Sequence, residues 1–148
     1  MKIISLAFGH AESIPSKHTC DGENLSPPLT IAGVPDGAKS LVLIVEDPDA
    51  PSGDFTHWLV WNINPATSAV EEGAAPAGAV EGMTDFGRQG YGGPCPPSGE
   101  HRYFFKLFAL DTTLAFSPLT QKKELVEAMR GHILSQVELM GRYSQVSA

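Results

Sequence analysis

The chain has 148 residues and a formal charge of −7, with 42% hydrophobic and 18% charged positions. That length fits a single domain over residues 1–148, and the negative balance leaves no basic field for tracking nucleic acid or docking on an anionic membrane. The 15 Gly and 12 Pro form a turn-rich inventory that suits many short strands and points away from a helical bundle.

Met1 to His10 lacks the apolar core of a signal peptide, and no run approaches the ~18 apolar residues of a membrane span. The expectation is a soluble, cytoplasmic protein without stable membrane insertion. Lys2 to Phe8 reads as a first strand with Ile4, Leu6 and Phe8 on one face. His18 to Pro28 follows as a polar segment with an Asp21-Gly22 turn and a double proline. A connector that long is either an ordinary surface loop or the wall or lid of a site.

Leu29 to Ile31 is a short strand and Gly33 to Gly37 a turn. Ser40 to Glu46 contains the apolar run Leu41 to Val45, which reads as a buried strand and feeds Asp47-Pro48-Asp49-Ala50-Pro51. Pro48 cannot donate to a ladder, and the two prolines hold Asp47 and Ala50 to few conformations. A single Asp-Pro pair is most simply a turn whose side chain satisfies backbone N–H groups. Two acids and two prolines within five residues make a stiff, preformed loop that loses little entropy on binding.

His57 to Ile63 gives the next strand, with His57, Leu59, Trp61 and Ile63 on one side and Trp58, Val60 and Asn62 on the other. Large apolar groups on both faces place it centrally. From Asn64 to Gly99 the chain is dominated by Gly, Pro and Ala, with a short strand near Ala69 to Glu71. There Gly92 and Gly93 can take positive φ and admit a ligand close to the backbone, and the prolines of Pro94 to Pro97 stiffen the adjoining stretch, as suits a site's rim.

Arg102 to Leu110 is the clearest strand. Tyr103, Phe105, Leu107 and Ala109 face one layer, and Phe104, Phe108 and Leu110 the other, broken by Lys106. Such a strand needs cover on both faces, from a second sheet or from a sheet plus helix. Gln121 to Arg130 reads as helix, with Thr120 as N-cap and Gly131 at the stop. Ile133 to Met140 resumes as a last strand, although Ile133, Val137 and Met140 also fit a helix. The fold class is all-β: an antiparallel two-sheet β-sandwich with one or two short helices.

Cys20 and Cys95 form no C-x-x-C and have no metal-ligand spacing. In a reducing compartment the default is two free thiols; a disulfide between them stays open.

Three strand boundaries carry the polar residues that could do chemistry: Asp47 and Asp49 after one strand, His57 opening the next, and Gly99-Glu100-His101-Arg102-Tyr103 opening a third. Antiparallel neighbours with these ends together would gather both histidines beside the acids. A carboxylate next to a histidine favours the imidazolium, which offers two donors to an anion. The Tyr103 hydroxyl and the Gly93 N–H would add to them, so that an acidic protein could bind an anion by directional bonds. Each histidine taken alone is more simply a hydrogen-bonded core residue; their joint placement with the Asp pair favours the site.

These motifs resemble the phosphatidylethanolamine-binding protein family in its bacterial and archaeal YbhB/YbcL branch, the Raf-kinase-inhibitor-like proteins. The resemblance runs nearly end to end and rests on Thr19 to Pro28, Asp47 to Pro51, His57 with its strand, Gly93 to Pro97 and Gly99 to Arg102. It implies a β-sandwich with a small anion pocket for phosphate, phosphorylated headgroups or carboxylates. By the same resemblance Asp47, Asp49, His57, His101 and Tyr103 line the pocket, Gly93 and Pro51 flank it, and Arg102 is a structural ion-pair partner. His10, His18 and His132 match nothing functional. Eukaryotic members carry a further helix beside the pocket. No counterpart follows the last strand here, which implies a more open pocket and weak affinity for a whole phospholipid.

Three function classes follow. The first is a non-catalytic binding or regulatory module for a small anionic ligand, with no cofactor and no metal. The second is an inhibitor of a protein kinase or protease acting by protein interaction. The third is a hydrolase using Asp47 or Asp49 with His57 and His101, or a metal, although no H-E-x-x-H or G-x-S-x-G motif occurs. A homodimer is expected from the resemblance, without a located interface.

Overall fold

The computed structural model describes residues 1–145. Among these residues nine strands and one α-helix follow in the order β1 (Lys2–Ile4), β2 (Glu12–Ser13), β3 (Leu29–Ala32), β4 (Ser40–Asp47), β5 (Phe55–Ile63), β6 (Ala69–Val70), β7 (Val80–Glu81), β8 (Glu100–Leu110), α1 (Lys122–Met129) and β9 (Ile133–Ser144), with a 3-10 turn at Ser16–His18. They form a three-stranded sheet, β1-β3-β6, and a six-stranded sheet, β2-β9-β8-β4-β5-β7. Pairing is antiparallel except between β2 and β9, which run parallel. No helix among the described residues is long and apolar enough to cross a membrane.

The strands at the centre of the large sheet are buried on both faces because their sequences are apolar at consecutive positions. Leu41, Leu43 and Val45 of β4 join Phe105, Leu107 and Ala109 of β8 on the inner face, where Ile3, Leu29, Ile31 and Val70 of the small sheet close over them. Val42, Ile44, Leu59, Trp61 and Leu110 face outward and are covered by Leu125 and Met129 of α1. Of the two kinds of cover the sequence allows, the structure uses a sheet plus helix, the small sheet on one face and α1 on the other. Lys106, which breaks the apolar outer stripe of β8, pairs with the buried Glu46 at 2.6 Å.

Three details depart from the strict two-residue alternation and the cap read from the sequence. β1 ends at Ile4, with Ile3 rather than Ile4 inside, and Leu6 is 84% exposed. Beyond it the Ser5 hydroxyl donates to the Pro28 carbonyl and accepts from the Ala7 N–H, satisfying backbone groups outside the sheet ladder. Ile63 lies on the inner face with Trp58 and Val60, not with Trp61, because β5 carries an extra residue at Asn62, whose φ is +55°. The Asn62 amide fills that bulge by donating to the Leu114 carbonyl and accepting the Leu114 N–H. Gln121, not Thr120, is the N-cap residue of α1; the Thr120 carbonyl is taken by the Met83 N–H. β9 is a full strand of 12 residues, since β8 offers it a partner from Leu110 back to Glu100.

The cysteines are joined. Cys20 and Cys95, 75 residues apart, form a disulfide with a Cα separation of 5.4 Å, which corrects the expectation of free thiols. The reason lies in the fold: the Cys20 N–H donates to the Pro94 carbonyl at 3.1 Å, so the two loops already run side by side.

Candidate functional site

β4 lies between β5 and β8 and is antiparallel to both, so its C-terminal end sits beside their N-terminal ends. Asp47, His57, His101 and Tyr103 meet there. His101 and Tyr103 are two apart on β8 and share a face. His57 reaches that face through a second bulge: Val45 pairs with Trp58 and Glu46 with Thr56, leaving His57 as the inserted residue. A bulge of this kind re-aims a side chain beside a site.

The geometry fixes the roles of the ring nitrogens. His57 Nδ1 lies 2.7 Å from the Gly92 carbonyl oxygen, and the Gly92 N–H donates back to the His57 carbonyl at 3.0 Å. A carbonyl only accepts, so Nδ1 carries the proton and the neutral ring keeps its lone pair on Nε2. His101 Nδ1 lies 2.7 Å from Asp47 Oδ2, whose partner oxygen accepts the Asp49 N–H at 2.7 Å. Both Nδ1 atoms are thus committed within the protein.

Burial pushes the His57 pKa below its ordinary value, against the opposing pull of the Gly92 hydrogen bond and the Asp47 charge. The expectation that the acids hold this ring as an imidazolium is therefore corrected: near pH 7 His57 is neutral, because desolvation outweighs a carboxylate that it does not touch. Tyr103 lies under both rings, edge-on to His57 at 5.2 Å and stacked on His101 at 6.5 Å between centroids. Burial and the Asp47 charge raise its pKa, so the hydroxyl stays protonated. It sits buried by Asp47 and the Cys95 backbone with no well-formed hydrogen bond among the described residues.

These groups line a hollow of about 390 Å³ whose remaining walls include Pro51, Phe55, Phe86, Pro96 and Pro97. Polar atoms converge at one end and apolar surface encloses the rest, the usual make-up of a small-ligand site. Among the described residues no group of three or more His, Cys, Asp or Glu side chains is gathered as a metal-ligand set.

Two of the expected contact residues stand outside the hollow. Asp49 turns away to Arg102, whose backbone N–H and Nε donate to Oδ2 at 2.9 Å and whose Nη2 donates to Oδ1 at 2.8 Å. That pair holds the Asp49 carboxyl down to about 2 and ties the proline loop to the start of β8. Gly93 sits behind the wall: its N–H donates to Asn24 Oδ1 at 2.8 Å and is spent within the protein. A Cβ there would meet the His18 carbonyl oxygen at 2.3 Å, so the glycine serves close backbone approach, and neither it nor Gly92 has positive φ.

The segment from His18 to Pro28 is likewise a buttress and not a lid. It holds the rim from behind through Asn24, the Cys20 disulfide and the His18 carbonyl, which accepts the Tyr91 hydroxyl at 2.7 Å. Sequence reasoning missed the lining residues Ala50, Ser52, Phe55 and Phe86. Phe55, two positions before His57, carried a signal in the strand's alternation; Phe86 carried none, since it arrives from a glycine-rich loop to pack on Phe55 at 4.8 Å and His57 at 5.1 Å.

Comparison with known proteins agrees along the chain. The family model described as phosphatidylethanolamine-binding protein matches residues 4–144. A UPF0098 protein of Methanothermobacter thermautotrophicus is 52% identical over 97% of this chain and 98% of its own. The crystal structure of a putative phosphatidylethanolamine-binding protein homolog, CT736 of Chlamydia trachomatis, superposes with a TM-score of 0.93 at 46% identity, covering 97% of this chain and 96% of that one. Escherichia coli YbcL, described as a member of the mammalian PEBP family, gives 0.91 at 32% identity, with 97% and 98% covered. This chain belongs to the phosphatidylethanolamine-binding protein family.

Proposed function

We propose that this protein is a non-catalytic binding module that takes a small oxyanion group, a phosphate, a phosphorylated headgroup or a carboxylate, in the hollow between His57 and His101. One observation carries the reading: both rings line the same hollow and both commit Nδ1 to the protein, to Gly92 and to Asp47, which leaves Nε2 as the ring nitrogen for a ligand. Tyr103 supplies a protonated hydroxyl at the floor. Because neutral His57 offers a lone pair, the oxyanion brings a proton of its own or the ring takes one up on binding.

Protein interaction is the second reading, in which a phosphoresidue or a C-terminal carboxylate of a kinase or protease enters the same hollow; Phe55, Phe86 and the prolines around it supply apolar surface for the rest of such a partner. Both readings keep the cytoplasmic location expected from the sequence. The Asp47–His101 pair also has the form of an oriented base, so a phosphatase and esterase screen accompanies the binding test. That test is thermal stabilisation by phosphate: His101→Ala loses it, weakening binding at least about tenfold (about 1.4 kcal/mol), while the fold persists. Equal stabilisation of the variant and the parent protein would refute the proposal.

A further inference from the structure

One wall of the hollow is Cys95-Pro96-Pro97, and its construction is unlike that of the rest of the site. Among Pro94, Cys95, Pro96 and Pro97 only Cys95 has a backbone N–H, so this stretch cannot be held by a ladder of its own donors. Its anchors are the Pro94 carbonyl, which accepts the Cys20 N–H at 3.1 Å, and the Cys20–Cys95 disulfide. Both cysteines are solvent-exposed and neither lies in a strand or helix. The Gln145 side-chain amide donates toward both sulfurs, at 3.5 Å to Cys20 and 3.4 Å to Cys95.

We infer that this disulfide is a redox switch on the pocket: a dithiol reductant opens it, the Pro94 to Pro97 wall is released, and affinity for the oxyanion falls. This rests on the proposed function for the identity of what is lost, though not for the switch itself. In the forward step a thiolate of the reductant attacks one sulfur of the exposed bridge and the other leaves as a thiolate, for which the Gln145 amide is a ready donor. The reductant's second thiolate then breaks the mixed disulfide. Two electrons pass from the dithiol to the protein, which ends with two thiols, and the reductant ends as a disulfide. The inner ladder of β4, β5 and β8 uses neither cysteine and stays paired throughout.

The test compares the oxidised protein, the protein reduced with dithiothreitol and the variant Cys20→Ser/Cys95→Ser. Hydrogen exchange followed by mass spectrometry is expected to show faster exchange in peptides spanning 89–101 in the reduced and variant forms, with β4 and the middle of β8 unchanged. Calorimetry with inorganic phosphate is expected to show affinity weakened about tenfold in both. Gln145→Ala is expected to slow reduction by dithiothreitol several-fold at constant pH. Identical exchange in 89–101 across the three forms overturns the switch. If phosphate binds none of the three, the anion-pocket reading fails, and the exchange result alone decides the switch.

Discussion

The two ends of β8 are built on opposite terms. From Phe105 to Leu110 the strand is enclosed by β4, by β9 and by apolar cover on both faces, and alternation alone decides where each side chain goes. From Glu100 to Tyr103 the same strand carries His101 and Tyr103 into a hollow, and their neighbours are held by loops: the Asp49–Arg102 pair, the Asn24 amide and a disulfide. One end is fixed by burial, the other by a small number of individually placed polar and covalent ties. Substitutions at the first should therefore act on stability, and at the second on binding.

The largest effect is expected at the enclosed end. Phe105 is fully buried and packs on Phe8 with ring centroids 5.8 Å apart, so Phe105→Ala should cost ~3–5 kcal/mol in urea denaturation. A loss of phosphate binding without that loss of stability would erase the distinction between the two ends.

At the open end the sharpest test is pH. His57 titrates below its ordinary value in the folded protein, so the unfolded chain binds more protons in that window, and the contribution to stability is present above the ordinary histidine pKa and lost as pH falls from there through the lower folded value. Anion binding runs the other way, since it favours the protonated ring. Sulfate, which holds no proton in this range, isolates the protein's part: its affinity should rise as pH falls from 8 to 6, and His57→Gln should flatten the rise. A parent protein with a level profile would show that His57 does not meet the anion.

The smallest effect is expected at Asp49, whose partner Arg102 is half exposed and screened by solvent. Asp49→Asn should shift the urea midpoint less than either change above. Because its folded pKa is depressed to about 2, what the pair contributes is present above the ordinary carboxylate range and disappears as pH falls toward that value, so parent and variant should converge in acid.

How much of this was legible in the sequence obeys the same division. β4, β5 and β8 could be read because uninterrupted apolar runs demand burial on both faces, and antiparallel ends bring Asp47, His57, His101 and Tyr103 to one end of the sheet, but the bulge that turns His57 onto their face has no sequence signature. What could not be read were long-range, one-off ties. The Cys20–Cys95 bridge spans 75 positions, Asn24 reaches Gly93, and Ser5 takes the Pro28 carbonyl. Each satisfies a particular backbone or side-chain group and leaves no periodic trace. The paired Asp-Pro loop, the glycine-rich rim and the family resemblance put Asp49 and Gly93 at the site; the Asp49 side chain turns to Arg102 and the Gly93 N–H is taken by Asn24.

The inserted residue at His57 has an implication for how such a pocket is gained or lost in descent. Because neighbouring positions on a strand point opposite ways, deleting a single codon between Phe55 and Trp58 would restore regular pairing with β4 while carrying the imidazole out of the cavity or erasing it. The interior would keep its apolar contents, and every other lining residue would be unchanged in kind. Strand length is thus a heritable determinant of what lines the hollow, and a lineage could lose the imidazole there by indel while its fold and overall resemblance to its kin persisted.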